Sequence, residues 1–311
     1  MWVVRKNLSW LQMLFTGGKS LPHTLERVGF ATLLSIGVTF LHERFPAHFP
    51  ELTQTPFMLI GLPLGIFLGF RNTAAYDRFW EGRKLWGGLV NVSRTLGRQI
   101  MTVPTETVTL ASRQEASRHV AAFAHALRTR LRDQQHDDTE RLLDGDSKPA
   151  LTQWLASGSS APLFLLDGLA RRFAQWRTQG QLSDVAWVPL EQSLITMTDI
   201  LGACERIKNT PIPYSYTVLM HRIVALYCVL LPLGIAGAVK EMTPVVVFFV
   251  SYALFGLDAI GEEIEQPFGH DPNDLPLSRL CKVIETDLTN ISGQTAMTDS
   301  VSPGELSGVE L

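Results

Sequence analysis

The strongest constraint on this chain is a set of runs that contain no charged side chain. Residues 52–70 are uncharged throughout and long enough to cross a bilayer, which takes about 20 residues of helix. Residues 223–239 and 242–257 are uncharged too. Only the polar break Lys240-Glu241 divides them, which reads as a tight helical hairpin. A fourth run, 28–41, is short for a span and reaches toward Leu25 or Phe45 only when Glu26, Arg27, Glu43 and Arg44 snorkel to the interfaces. The runs come in two pairs, so the chain reads as an all-α integral membrane protein with four transmembrane helices in two hairpins.

Between the pairs lie residues 71–208, with charges every few positions and an amphipathic helical pattern. Val120, Phe123, Ala124, Leu127 and Leu131 recur at steps of three and four, as do Leu194, Met197, Ile200, Leu201 and Cys204. Breaks fall at Gly145-Asp146-Ser147, at Gly158-Ser159-Ser160-Ala161-Pro162 and at Gly180. From Ile291 the periodicity stops and Ser, Thr and Gly dominate, which predicts a loose tail. The expected divisions are an N-terminal segment over 1–24, a first hairpin over 25–72, a helical region over 73–210, a second hairpin over 211–262, and a C-terminal segment with its tail over 263–311.

A chain of 311 residues with 46% hydrophobic and 18% charged residues suits a few spans plus a sizeable aqueous part. The net charge of −3 argues against nucleic acid as a partner. Cys204, Cys228 and Cys281 are odd in number and widely spaced, so they indicate neither a disulfide framework nor a metal site. Residues 2–15 are broken by Arg5, Lys6 and Asn7 and do not read as a cleavable signal. Arg5, Lys6, Lys19 and Arg27 precede the first run, and Arg71, Arg78, Arg83 and Lys84 follow the second. The two short connections carry only Arg44 and Lys240, which places both termini and the middle region in the cytoplasm.

Leu62, Ile66 and Phe70 stand at i, i+4 and i+8, close to one helix face and over about 12 Å of axis. Such a stripe by itself is ordinary helix packing. Its setting is less ordinary. Gly61, Gly65 and Gly69 repeat on a neighbouring face and permit close helix approach, Pro63 can kink the helix, and the segment runs directly into Arg71-Asn72. Asp258, Glu262 and Glu265 make an acidic stripe where the fourth run ends. Charges so close to lipid usually face protein partners, and Arg71, Arg78 or Arg83 are the candidates; an acidic lining that attracts cations is the functional alternative. Phe15-Thr16-Gly17-Gly18-Lys19-Ser20 ends like a phosphate loop but has Met13 where a glycine is required and no preceding strand. The histidines His23, His119, His125 and His221 share no ligand spacing, and no Ser-His-Asp order is legible.

Phe67-Leu68-Gly69-Phe70-Arg71-Asn72, followed by Tyr76, Arg78, Glu81, Arg83 and Trp86, resembles the bestrophin signature at the end of the second transmembrane segment. Pro211-Ile212-Pro213-Tyr214 is similar to that family's turn before the third span. Glu262-Glu263-Ile264-Glu265-Gln266-Pro267-Phe268-Gly269, then Asn273-Asp274-Leu275-Pro276-Leu277, resembles the stretch after the fourth. Together the motifs cover roughly residues 1–290 and point to the bacterial branch. The resemblance implies a homopentameric channel in the cell inner membrane. Its axial pore has a hydrophobic neck, which falls on Leu62, Ile66 and Phe70; apolar rings of this kind gate by dewetting. A cytoplasmic aperture falls on Val185. The ions would be small and monovalent, with chloride as the family expectation and cation selectivity open in the bacterial branch.

The family's calcium clasp maps to Glu263, Gln266, Asp271, Asn273 and Asp274. His270 and Pro272 replace acids there, so calcium activation is in doubt and no cofactor is expected. A loop capped by Asp271 and Asp274, or a cap on the helix beginning near Pro276, explains those side chains without a metal. The partners expected are identical subunits, membrane lipid and permeating inorganic ions. An alternating-access transporter of a small solute is the rival reading, although the two hairpins lack the repeated halves such carriers typically show. No titratable groups converge within a span, as a membrane enzyme would require.

Overall fold

The computed structural model describes residues 20–45, 54–135, 137–145 and 147–293. The readings for residues 2–15, for the loop-like run up to Lys19, for Leu52 at the start of the second apolar run, for Asp146 and for the tail after Gly293 lie outside them. Every regular element among the described residues is helical. In chain order they are α1 (Ser20–Arg44), α2 (Thr55–Thr102), α3 (Leu110–Arg132), α4 (Asp137–Arg141), α5 (Ser147–Ala156), α6 (Ala161–Thr178), α7 (Asp184–Asn209), α8 (Tyr214–Val239), α9 (Thr243–Glu265) and α10 (Leu277–Ile291).

The chain divides into two compact units. The first gathers the described residues up to Phe79, together with Pro211–Pro267 and Asp271–Asp274. Three stretches are long and apolar enough to cross a membrane, His23–Arg44, Thr55–Thr102 and Tyr214–Glu265. The last contains both α8 and α9, joined by a single 3₁₀ turn, Lys240–Met242. Lys240 takes a positive φ of 51° to reverse the chain, and the Thr243 hydroxyl donates to its carbonyl at 2.6 Å. This is the hairpin read from the Lys240-Glu241 break. Helix α1 lies against α9 and α8. Val28, Ala31, Leu64, Leu68, Met220, Val224, Cys228, Leu231, Val247 and Phe255 form the apolar core of this unit. The weakest of the four runs is therefore part of a full 25-residue helix, whose Val28 and Ala31 pack into this core.

Helix α2 has 48 residues and is about 72 Å long. It continues through Pro63 without interruption, so the proline ends nothing. Its first part belongs to the first unit and its part from Trp80 onward to the second.

In the second unit, α3 is buried along almost its whole length and packs against α6, α7 and α10. Both predicted stripes are core. Val120, Phe123, Ala124 and Leu127 are fully buried, with Leu131 nearly so, and Leu194, Met197, Ile200, Leu201 and Cys204 are buried on α7. The predicted breaks at Gly145, Gly158 and Gly180 all have positive φ, where glycine carries no Cβ penalty. Ser183 caps α7 by accepting from the Ala186 N–H, and Thr109 caps α3 by accepting from Ser112.

Two corrections concern the C-terminal segment. The helix expected to begin near Pro276 is α10, but its buried face of Leu277, Cys281, Ile284 and Leu288 was not read from the sequence. Leu288 sits where a Cβ on Gly97 would be. Nor do Asp271 and Asp274 cap this helix: its N-cap is Pro276, with no side-chain cap bond. Burial pushes the Cys204 and Cys281 thiols up to about 12, as befits packing groups.

Candidate functional site

Helix α2 has two contrasting long faces in the first unit. Leu64 and Leu68 are 4% and 0% exposed in the core, whereas Leu62, Ile66 and Phe70 are 72%, 50% and 64% exposed. The three sequence-predicted neck residues thus share one open, wholly apolar face. Of the glycines beside them, Gly61 makes a close approach: a Cβ there would lie 2.6 Å from the Tyr227 hydroxyl. Gly65 and Gly69 face open space within the single chain.

The other face is fastened along its length to α8 and α9. Phe57 occupies the space that a side chain at Gly234 would need. The Tyr216 hydroxyl donates to the Phe67 carbonyl at 3.2 Å. Asn72 donates to the Leu257 carbonyl at 3.0 Å and can do so because Gly261 has no side chain in its way.

Directly after Phe70 comes Arg71, whose side chain is wholly buried. Its Nη1 donates to Asp258 Oδ1 at 2.6 Å and lies 3.3 Å from the Asp258 carbonyl, while its Nη2 is 3.8 Å from Glu265. Asp258 has two further partners. His221 Nδ1 lies 2.5 Å from Oδ2, and Arg27 Nη1 lies 4.0 Å away. Glu265 also accepts from the Ile212 N–H at 3.2 Å, and its carbonyl accepts from Arg78 Nε at 3.1 Å.

Two of the three carboxylates in the acidic stripe are therefore held by arginine, as apolar surroundings require. Glu262 is exposed, and Arg83 belongs to the second unit. Arg27 and His221 went unread as partners in the sequence. Their signal was available, since an ionisable group within an apolar helix needs a protein partner, but nothing local identified which one.

The remaining candidates are more dispersed. Gln266 ends α9, and Glu263 is half-buried one turn earlier. Asp271 and Asp274 close a turn on each other. The Asp271 N–H donates to Asp274 Oδ2 at 2.7 Å, and the Asp274 N–H to the Asp271 carbonyl at 2.9 Å. Asn273 is exposed between them. One carboxylate oxygen is thus spent on the backbone, and among the described residues no three His, Cys, Asp or Glu side chains converge as a metal site would need. The residues do not fit a calcium clasp as they stand. Val185, the second residue of α7, is 84% exposed.

Comparison with known proteins gives a consistent result. The family described as Bacterial/Fungal Bestrophin protein matches residues 1–290. The voltage-dependent anion channel-forming protein of Ralstonia nicotianae is 37% identical over 303 residues, 96% of this chain and 97% of that protein. The voltage-dependent anion channel-forming protein YneE of Escherichia coli is 37% identical over 302 residues, covering 97% of each. The crystal structure of a bacterial bestrophin homologue from Klebsiella pneumoniae superposes with a TM-score of 0.82 at 35% identity, over 87% of this chain and 99% of that one.

Proposed function

The chain belongs to the bacterial/fungal bestrophin family, and from that premise we propose that it is a subunit of a homopentameric channel for small monovalent ions. Four helices cross the inner membrane: α1, the apolar first part of α2, α8 and α9. Both termini and the residues of the second unit are cytoplasmic, on the distribution of Lys and Arg around the spans. Leu62, Ile66 and Phe70 from five subunits make three apolar rings, and Val185 makes a second constriction. Transport is passive, with no catalytic step.

The observation that carries this reading is the asymmetry of α2. A helix fastened by Phe57, Gly61, Leu64, Leu68, Arg71 and Asn72 on one side presents Leu62, Ile66 and Phe70, with no charged side chain among them, on the other. One subunit cannot enclose a pore with a single such face, but a ring of them can. Anions are the favoured ions, because the relatives are named for anion channels and because Arg71 and Arg27 together offset the carboxylates of Asp258 and Glu265. Native mass spectrometry of the detergent-solubilised particle tests the pentamer; a monomer or dimer across mild detergents refutes it. Recording in planar bilayers under a salt gradient tests the channel, which alone gives unitary steps. A reversal potential near the cation equilibrium value would overturn anion selectivity and leave the channel standing.

A further inference from the structure

Arg71 stands one residue beyond Phe70, and its guanidinium is wholly buried in the first unit. Within hydrogen-bond or ion-pair range of its partner Asp258 are groups from three other helices: Arg71 of α2, His221 of α8 and Arg27 of α1. On Asp258's own helix, Glu265 shares Arg71, and Glu262 is exposed one turn away. Arg78 of α2 donates to the Glu265 carbonyl, so with a neutral imidazole the three arginines Arg27, Arg71 and Arg78 balance the three carboxylates Asp258, Glu262 and Glu265. Of the side-chain types gathered here, histidine is the one whose charge ordinarily depends on pH near neutrality.

We propose that Asp258 and His221 position the inner end of the pore helix through Arg71, and that proton uptake by His221 makes this anchor set the ion preference of the neck. The inference rests on the channel reading. The contact between His221 Nδ1 and Asp258 Oδ2 survives protonation, because Nδ1 donates in both the neutral and the cationic ring. What changes is the charge. A proton turns a balanced cluster into one with a net positive charge, held against the helix turn that carries Phe70 and repeated in each subunit. Positive charge near an apolar constriction lowers the cost of entry for anions and raises it for cations. The relative permeability of chloride over sodium therefore rises in acid, whichever ion dominates at alkaline pH.

The anchor also explains the local sequence. Asn72 reaches the Leu257 carbonyl only because Gly261 leaves room, so α2 and α9 are locked in register at adjacent residues, 71 with 258 and 72 with 257. A lone pair of buried charges is weak evidence for stability, but it is well suited to fixing register.

The test is reversal potential under a potassium-free sodium chloride gradient, with full-length protein in bilayers at about pH 8 and about pH 5.5. The wild type should shift its chloride-to-sodium permeability ratio upward in acid by about threefold or more, a modest value after screening. His221→Gln keeps a donor toward Asp258 but cannot gain the charge, so it should conduct with a ratio that does not move. Asp258→Asn leaves Arg71 without its carboxylate and should lower open probability at both pH values. A wild-type ratio that is flat with pH, or a His221→Gln channel that shifts as the wild type does, overturns the inference while leaving the channel reading intact. Absence of unitary current from the wild type at either pH defeats both.

Discussion

The two faces of α2 can be set against each other by mutation. Changing Leu62, Ile66 and Phe70 together to alanine removes apolar bulk from the three proposed rings, while changing Leu64 or Leu68 removes it from the core of the first unit. Large-to-small changes at buried positions cost about 2–5 kcal/mol. The neck residues are half to nearly three-quarters exposed in the single chain, so each should cost roughly 1–2 kcal/mol by proportion. Leu68→Ala, at 0% exposure, should take the full penalty and reduce yield or thermal stability without raising current. The triple variant should do the opposite. If dewetting limits conduction, lowering that barrier by about 1.4 kcal/mol multiplies the rate by about ten, and removing bulk from all three rings should achieve at least that. Unitary conductance and open probability in planar bilayers give the readout, with native mass spectrometry confirming assembly. A triple variant that assembles like the wild type with unchanged currents would refute the neck, and a Leu68→Ala channel with raised conductance would refute the assignment of faces.

Three further outcomes are expected. Currents should differ little between chelator and micromolar free calcium, because the Asp271–Asp274 turn binds its own backbone; a steep response abolished by Asp274→Ala would reverse this. Val185→Ala, at so exposed a position, should leave thermal unfolding within about 0.5 kcal/mol yet alter the permeability sequence among ions of different size; an unchanged sequence removes Val185 from the pathway. Glu285 is held below the usual glutamate range by the hydrogen bond to His125, against the opposing effect of burial, and by Arg141, whose Nη2 donates to both carboxylate oxygens. A lowered carboxyl contributes stability above its unfolded pKa and loses it as pH falls through the folded value. Glu285→Gln should therefore lower the melting temperature at neutral pH, and the difference from wild type should fade below about pH 4; a difference that persists there would mean lost packing rather than lost charge.

What could be read in the sequence follows from contrast. On α3 and α7, apolar residues at steps of three and four are set off by charged neighbours, so the buried faces were identifiable residue by residue. On the first part of α2 that contrast vanishes, because both faces are apolar. Leu64 and Leu68 then look no different from Leu62 and Ile66, and only the family resemblance singled out the latter. Of α10, the start near Pro276 was legible but its buried face was not: Leu280, Val283 and Ile291 lie beside Leu277, Cys281, Ile284 and Leu288 and blur the stripe. The partners of Asp258 were partly legible. Need for a cation can be inferred from a carboxylate in an apolar helix, and Arg71 was among the candidates. Its position 187 residues away, and the presence of Arg27 and His221 at the same carboxylate, follow only from how the helices pack.

That packing also explains why so much charge is committed at this depth. An apolar helix surrounded by apolar neighbours has many nearly equivalent rotations and axial offsets, since lipid and leucine solvate its faces equally well. For a helix whose open face is proposed to line a pore, those states are not equivalent, because a small rotation would move Leu62, Ile66 and Phe70 off the proposed axis. Removing either buried charge leaves the other uncompensated, at a cost of about 3–5 kcal/mol, and apolar contacts at this seam impose no comparable penalty on a shifted register. Arg71 with Asp258, beside Asn72 with the Leu257 carbonyl, therefore selects one rotation and one offset for α2. The residue that fixes them directly follows Phe70, the innermost residue of the proposed neck, where the position of a pore lining would matter most.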